Sequence, residues 1–216
     1  MSRIEDNLTI VGNLRVAGTS AFAGASGIAR SDLTQESLTL FLLSPETWRI
    51  HDNMDALLGD PPVGGAGNDD LGIVSGTYGT GVPSIQTGDN KAAGSVTKYA
   101  RQTVQLPANY VAGQTVSVRL HAGMIMTVAS STATVDVEAY KSDNEAAVDG
   151  ADLCATSAAS CNSLTFADLD FTITPTALNP GDVLDIRIAI ATNDAATATA
   201  VIGCIGLAAL LCDTKG

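Results

Sequence analysis

Aromatic side chains are scarce, making up 4% of the 216 residues, with a single tryptophan. A core built without them must rely on small and β-branched side chains, which suits thin, closely packed sheets. Histidine is limited to His51 and His121. A hydrolase needs a histidine beside a nucleophile and an orienting acid, and neither histidine lies in a recognisable nucleophile motif. The chain is therefore read as a non-enzyme, with no catalytic residues, no metal and no cofactor. Basic residues number 11 against 23 acidic ones, a net charge of −12. Such a surface repels phosphate backbones, so nucleic acid is not an expected partner. The longest apolar run, residues 198–211, is broken by Gly203 and Gly206. It falls short of the ~20 residues a bilayer span needs, so no membrane partner is expected. No basic stretch followed by an apolar one opens the chain, and no secretory signal is expected.

Four cysteines are too few for a disulfide framework in a protein of this size. Cys154 and Cys161 flank a short A-T-S-A-A-S loop and could close a disulfide or stay as thiols; the spacing leaves both open. No C-x-x-C pair or adjacent histidine supports zinc. Cys204 and Cys212 sit among Ile, Leu and Ala and read as buried thiols. The glycine-rich stretches 64–67 and 76–81 lack the Lys-Ser/Thr of a phosphate loop.

What is abundant is strand pattern. Residues 96–106 form a first long strand, stopped by Pro107. Residues 114–128 alternate strictly: Val116, Val118, Leu120, Ala122, Met124, Met126 and Val128 on one side, Thr115, Ser117, Arg119 and His121 on the other. A period of two puts one face on a core and the other toward solvent or a partner. Residues 132–140 continue it, with Ala133, Val135, Val137 and Ala139 inward and Asp136 and Glu138 outward. In residues 164–174 the apolar set is Leu169, Phe171 and Ile173, and a parity change after Phe166 predicts a bulge at Ala167-Asp168. After the turn at 179–182, residues 183–191 place Leu184, Ile186, Ile188 and Ile190 inward and Asp185 and Arg187 outward. Residues 198–212 are almost continuously apolar and read as a central strand. Short edge strands are expected at 71–74 and 83–86. Strands at this spacing, with turns and no helices between them, predict an all-β fold, an antiparallel jelly-roll β-sandwich.

Upstream the reading changes. Residues 7–24 hold two short apolar-x-apolar pairs, each followed by Gly, which predicts an N-terminal β-arm whose buried contacts are Leu8, Ile10, Leu14, Val16 and Phe22. Strands this short do not bury a core alone, though several chains could do so around a shared axis. The same spacing also fits an ordinary hairpin packed on its own domain. Residues 28–43 fit a helix capped at Ser31 or Asp32, or a strand through Leu38, Leu40 and Leu42. Residues 45–58, with Pro45 at the start, Trp48, His51, Met54 and Leu58 at helical spacing and Gly59 at the end, predict a short helix anchored by Trp48. The expected organisation is an arm over 1–43, a short helix and Gly/Pro-rich linker over 44–67, and the jelly roll over 68–216. An acidic loop at 143–152 is read as solvated, with Ca²⁺ as the alternative.

The stretch G-N-L-R-V-A-G-T-S-A-F-A-G, from Gly12 to Gly24, resembles the short repeats that open many tailed-bacteriophage fibre, spike and head-decoration proteins. Five later stretches are similar to phage and prophage structural proteins: Tyr99 to Pro107, Val118 to Met124, Val135 to Lys141, Ser163 to Phe171 and Asn179 to Arg187. The resemblance implies a virion structural protein of head decoration, cement or head-fibre type. It would be assembled in the host cytoplasm, attached to the major capsid protein at the capsid surface, and homotrimeric. The alternative is a short tail fibre or spike module that binds a host-surface glycan, with loop aromatics such as Tyr78 or Tyr110 serving the sugar.

Overall fold

Strands with one apolar face must cover it, and in this protein two antiparallel sheets cover each other. The computed structural model describes residues 36–62, 69–90, 94–126, 128–195 and 199–215. The chain divides into two units, Met1–Gln35 and Glu36–Gly216. The first lies outside the described residues, and with it the arm contacts Leu8, Ile10, Leu14, Val16 and Phe22 and the cap at Ser31 or Asp32.

One sheet has six strands: β1 (Glu36–Leu43), β4 (Gly72–Val74), β5 (Ser84–Gln86), β7 (Val116–Met124), β11 (Ala167–Ile173) and β13 (Gly203–Lys215). Its order is β11-β7-β13-β5-β4, with β1 beside β13 over Leu43↔Ala208 to Glu36↔Lys215. The other sheet has seven: β2 (Arg49–Ile50), β3 (Asn53–Leu57), β6 (Gly94–Gln105), β8 (Ser131–Ser142), β9 (Val148–Asp149), β10 (Ala159–Ser160) and β12 (Val183–Asp194). Its order is β10-β8-β12-β6-β2-β3, with β9 on β8. The antiparallel sandwich expected from the alternation is the fold.

The inward residues are those the period of two selects. Val116, Val118 and Leu120 of β7, Val135 and Ala139 of β8, and Leu184, Ile186, Ile188 and Ile190 of β12 are all fully buried. β13 is central, with β7 along one edge and β1 and β5 sharing the other. Its run is continuously apolar, and side chains of both parities are buried: Ala208 and Leu210 on one side, Ala209 and Leu211 on the other. Beside the latter pair, Leu42 and Leu40 of β1 stand opposite Ala209 and Leu211.

Three expectations are corrected. Residues 45–58 are not a helix but a 3-10 turn, Pro45–Thr47, followed by the β2–β3 hairpin. Three residues with low helix propensity, Asp52, Asn53 and Asp55, favour a turn at the point where a helix would have to propagate. The Leu58 amide donates to the Trp48 carbonyl (3.2 Å) and closes the hairpin. Trp48 is nonetheless the anchor expected, with no exposed surface. Residues 36–57, assigned above to arm and linker, supply three strands of the sandwich, so this unit begins well before residue 68. The bulge is not at Ala167-Asp168, where β11 pairs with β7 in unbroken register. The shift is in β13, between Ile205 and Leu207. The parity change after Phe166 reflects a side chain laid over glycine: a Cβ on Gly123 would fall 2.5 Å from the Phe166 ring.

One inward position of β6 carries a charge. Lys98, 3% exposed, faces the core side opposite Ile190, and its Nζ donates to the Pro62 carbonyl at 3.5 Å. Burial pushes its amine down, and Asp70 pulls it partly back up. The unfolded chain then holds that proton more tightly than the folded one. The penalty is present below the folded pKa and fades as pH rises through it toward the ordinary lysine value. Replacing a buried charge with an apolar residue of similar length removes the desolvation cost. Lys98→Met is expected to raise Tm at neutral pH by about 2–4 °C, read by calorimetry. A lower Tm would show that the Pro62 and Asp70 contacts outweigh the burial.

Candidate functional site: a groove on the open face of the seven-stranded sheet

The outward residues of β8, β12 and β6 form rows across the sheet. Tyr140, Asp185 and Thr103 make one; Glu138, Arg187 and Arg101 the next; then Asp136, Ala189 and Tyr99; then Thr134, Ala191 and Thr97. In the last two rows the central residue is alanine, so the sheet surface dips between larger neighbours. Two adjoining depressions result, of about 220 Å³ and 290 Å³. The first lies over Ala189 and Ala191, flanked by Tyr99, Asp136 and Ala158. The second is edged by His51, Tyr140, Val148 and Asp185. Glu138 and Arg187 line both, so the two are one groove.

Its polar groups are held in place. Arg187 and Arg101 stand directly opposite each other, a repulsive cross-strand pair unless each has an acid. Arg187 Nη2 donates to both oxygens of Glu138 at 2.6 Å. Arg101 forks onto Asp185, Nε to Oδ1 at 2.7 Å with Nη2 on Oδ2. The Asp185 contact raises the Arg101 guanidinium above its ordinary value. Arg49 continues the row beyond Arg101 and donates to the Met54 carbonyl. The Arg187 guanidinium lies 4.7 Å above the Tyr99 ring. His51 packs beside that ring with centroids 5.0 Å apart. The Tyr99 backbone is tied through both its carbonyl and its amide to the segment that leads into β4, with Leu71 N donating to Tyr99 O and Tyr99 N to Asp69 O, each at 2.7 Å.

With His51 from the β2–β3 turn, Asp69 and Asp70 make the one group of three potential metal ligands among the described residues. Nδ1 of His51 faces Asp70 at 3.2 Å and Nε2 faces Asp69 at 3.6 Å. The imidazole thus bridges two carboxylates through opposite nitrogens. One ion would engage a single ring nitrogen and break the other contact, so the arrangement reads as a histidine held between two carboxylates at the groove rim.

The other expected sites lie elsewhere. His121 is on the opposite sheet, Nδ1 2.7 Å from Asp168, beside the Arg119–Asp170 pair. In the acidic loop two carboxylates accept from backbone amides: Asp152 from Ala139 and Cys154, and Asp143 from Glu145. All four cysteines are free thiols, and burial pushes the Cys161 thiol up to about 11. Tyr78 is fully exposed on its loop, whereas Tyr110 is core, its hydroxyl donating to the Gln114 carbonyl. Tyr110 therefore cannot serve a ligand. The sequence reading set Asp136, Glu138, Asp185 and Arg187 outward, and the fold brings them together. Tyr99, Arg101, Tyr140 and the alanine floor join them from outside that reading, although the same alternation in residues 96–106 sets Tyr99 and Arg101 on one face.

No described protein family matches the chain, and no curated protein sequence does. Among solved structures, the C-terminal family 22 carbohydrate-binding module of Clostridium thermocellum Xyn10B aligns at 16% identity, over 79% of this chain and 88% of that one, with a TM-score of 0.38. TmCBM27, a module of specific mannan recognition, aligns at 13% identity over 82% and 98%, with a TM-score of 0.39. A chain from promiscuous carbohydrate-binding modules of the β-sandwich superfamily aligns at 10% identity over 83% and 58%, with a TM-score of 0.34. Superpositions this loose carry nothing about what this chain binds.

Proposed function

We propose that the chain is a non-catalytic binding module that holds a glycan in the groove of the seven-stranded sheet. The observation that carries this reading is the convergence of Tyr99, Asp136, Glu138 and Arg187 around a floor of Ala189 and Ala191, with Arg101 and Tyr140 lining the adjoining depression. Sugars present hydroxyls at fixed spacing above an apolar ring face. Arginine–carboxylate pairs offer donors and acceptors side by side, and the alanines leave room for a ring. Because the groups sit on central strands and are already paired, little ordering cost is left to binding. The test is a glycan array probed with the full chain and with an Ala189→Trp variant. Saturable retention that the variant loses supports the reading. Retention of no glycan, or equal retention by both proteins, contradicts it.

The resemblance carried by residues 12–24 favours a second reading, compatible with the first: a homotrimeric virion component whose N-terminal segment grips the major capsid protein. The division of the chain at Gln35 suits a module carried on an attachment segment. Three arms engaging three capsid subunits would multiply weak contacts. Deletion of residues 1–24 is then expected to abolish co-sedimentation with capsids; unchanged association would end this reading.

A further inference from the structure

The carboxylates of the groove are not equivalent. Glu138 and Asp185 each face an arginine. Asp136 does not: its cross-strand neighbour is Ala189, and beyond it stands Tyr99. Its Oδ1 accepts from the Val137 amide at 3.0 Å, and among the described residues no cation is within ion-pair distance of it. Arg187, the cation that acts on it, is committed to Glu138. The first depression therefore has two carboxylates and one guanidinium on its walls, an excess of one negative charge beside the alanine floor.

We propose that this depression selects amino sugars, with Asp136 receiving the ammonium of a 2-amino-2-deoxy unit and repelling uronic and sulfated sugars. The proposal rests on the glycan reading of the groove and names the class of sugar. A carboxylate left unpaired in a half-closed groove is a charge waiting for a counter-ion, and a charge-assisted hydrogen bond there is stronger than a neutral one. Burial pushes the Asp136 carboxyl up; the Val137 amide pulls it partly back, and Glu138 and Asp152 add to the rise. A bound ammonium would reverse that, stabilising the ionised form. Anionic sugars would meet Asp136 and Glu138 together with one guanidinium already satisfied.

The test uses the full chain and calorimetric titration with glucosamine and galactosamine oligomers, each in free-amine and N-acetylated form, and with oligogalacturonides. The free-amine form is expected to bind about tenfold tighter than its acetylated counterpart. Oligogalacturonides are expected not to bind. In Asp136→Asn, which keeps the side-chain shape, the ratio of amine to acetylated affinity is expected to fall to near one. The preference should also weaken with added salt. Binding without preference for the amine, or a preference that Asp136→Asn retains, overturns this inference and leaves the glycan reading standing. Binding by no sugar in this set or on the array overturns both.

Discussion

Trp48→Ala is expected to lower the stability of the sandwich by about 3–5 kcal/mol. Trp48 is fully buried in the connection between β1 and β2, where the chain leaves the six-stranded sheet and joins the seven-stranded one. In a chain with so few aromatics, no other side chain of that size is at hand to fill the space it would vacate. Removal forfeits transfer free energy and leaves a cavity that two hydrogen-bonded sheets can close only partly. Among the described residues its indole nitrogen has no hydrogen-bond partner, so the loss is one of packing and volume. A Tm lower by on the order of 10 °C is expected by calorimetry, with Trp48→Phe losing distinctly less. A loss below about 1 kcal/mol would mean that the 44–58 segment is a peripheral hairpin and not a wall of the core.

Ala189→Trp is expected to abolish glycan binding, at least a hundredfold loss of affinity or about 2.7 kcal/mol, while the fold persists. Ala189 lies at the centre of the groove floor, half-buried, between Asp136 on β8 and Tyr99 on β6. Its outward face meets solvent and not the second sheet, so an indole there enters the depression and does not overpack the core. Large aromatic side chains suit strands, and Trp beside Tyr99 has a ring to lie against. Stability within about 1 kcal/mol of the parent, with no saturable binding, is the expected pair of results. Loss of both would show that the open face of β12 is structurally indispensable.

Much of this architecture was legible because the period of two survives where one face of a strand is buried. Leu184 to Ile190 and Ala133 to Ala139 kept strict parity, and their inward sets are the observed core. The hairpin at Arg49–Leu57 was not legible, because Trp48, His51, Met54 and Leu58 fall at helical spacing by coincidence. Tertiary pairing of Arg49 with Arg101 decides the matter, and no local pattern reports it. The bulge was assigned to the wrong strand for a similar reason: Phe166 breaks parity in order to cover Gly123 and Gly206, which are distant in sequence. The groove was half legible. Asp136, Glu138, Asp185 and Arg187 read as outward charges, but nothing in the chain says that β8, β12 and β6 are neighbours in that order. Strand order is a property of long-range pairing, and the alanine floor gains meaning only once the rows are aligned.

The central claim is that the groove between β8, β12 and β6 is where ligand sits. The most direct measurement is amide chemical-shift mapping of the labelled chain, titrated with the oligosaccharide the array retains most tightly. Shifts are expected to cluster on residues 97–101, 134–140 and 185–191, and to be absent from the β7–β11 face around Arg119 and His121. Shifts centred on that face, or on the loop around Tyr78, would contradict the claim.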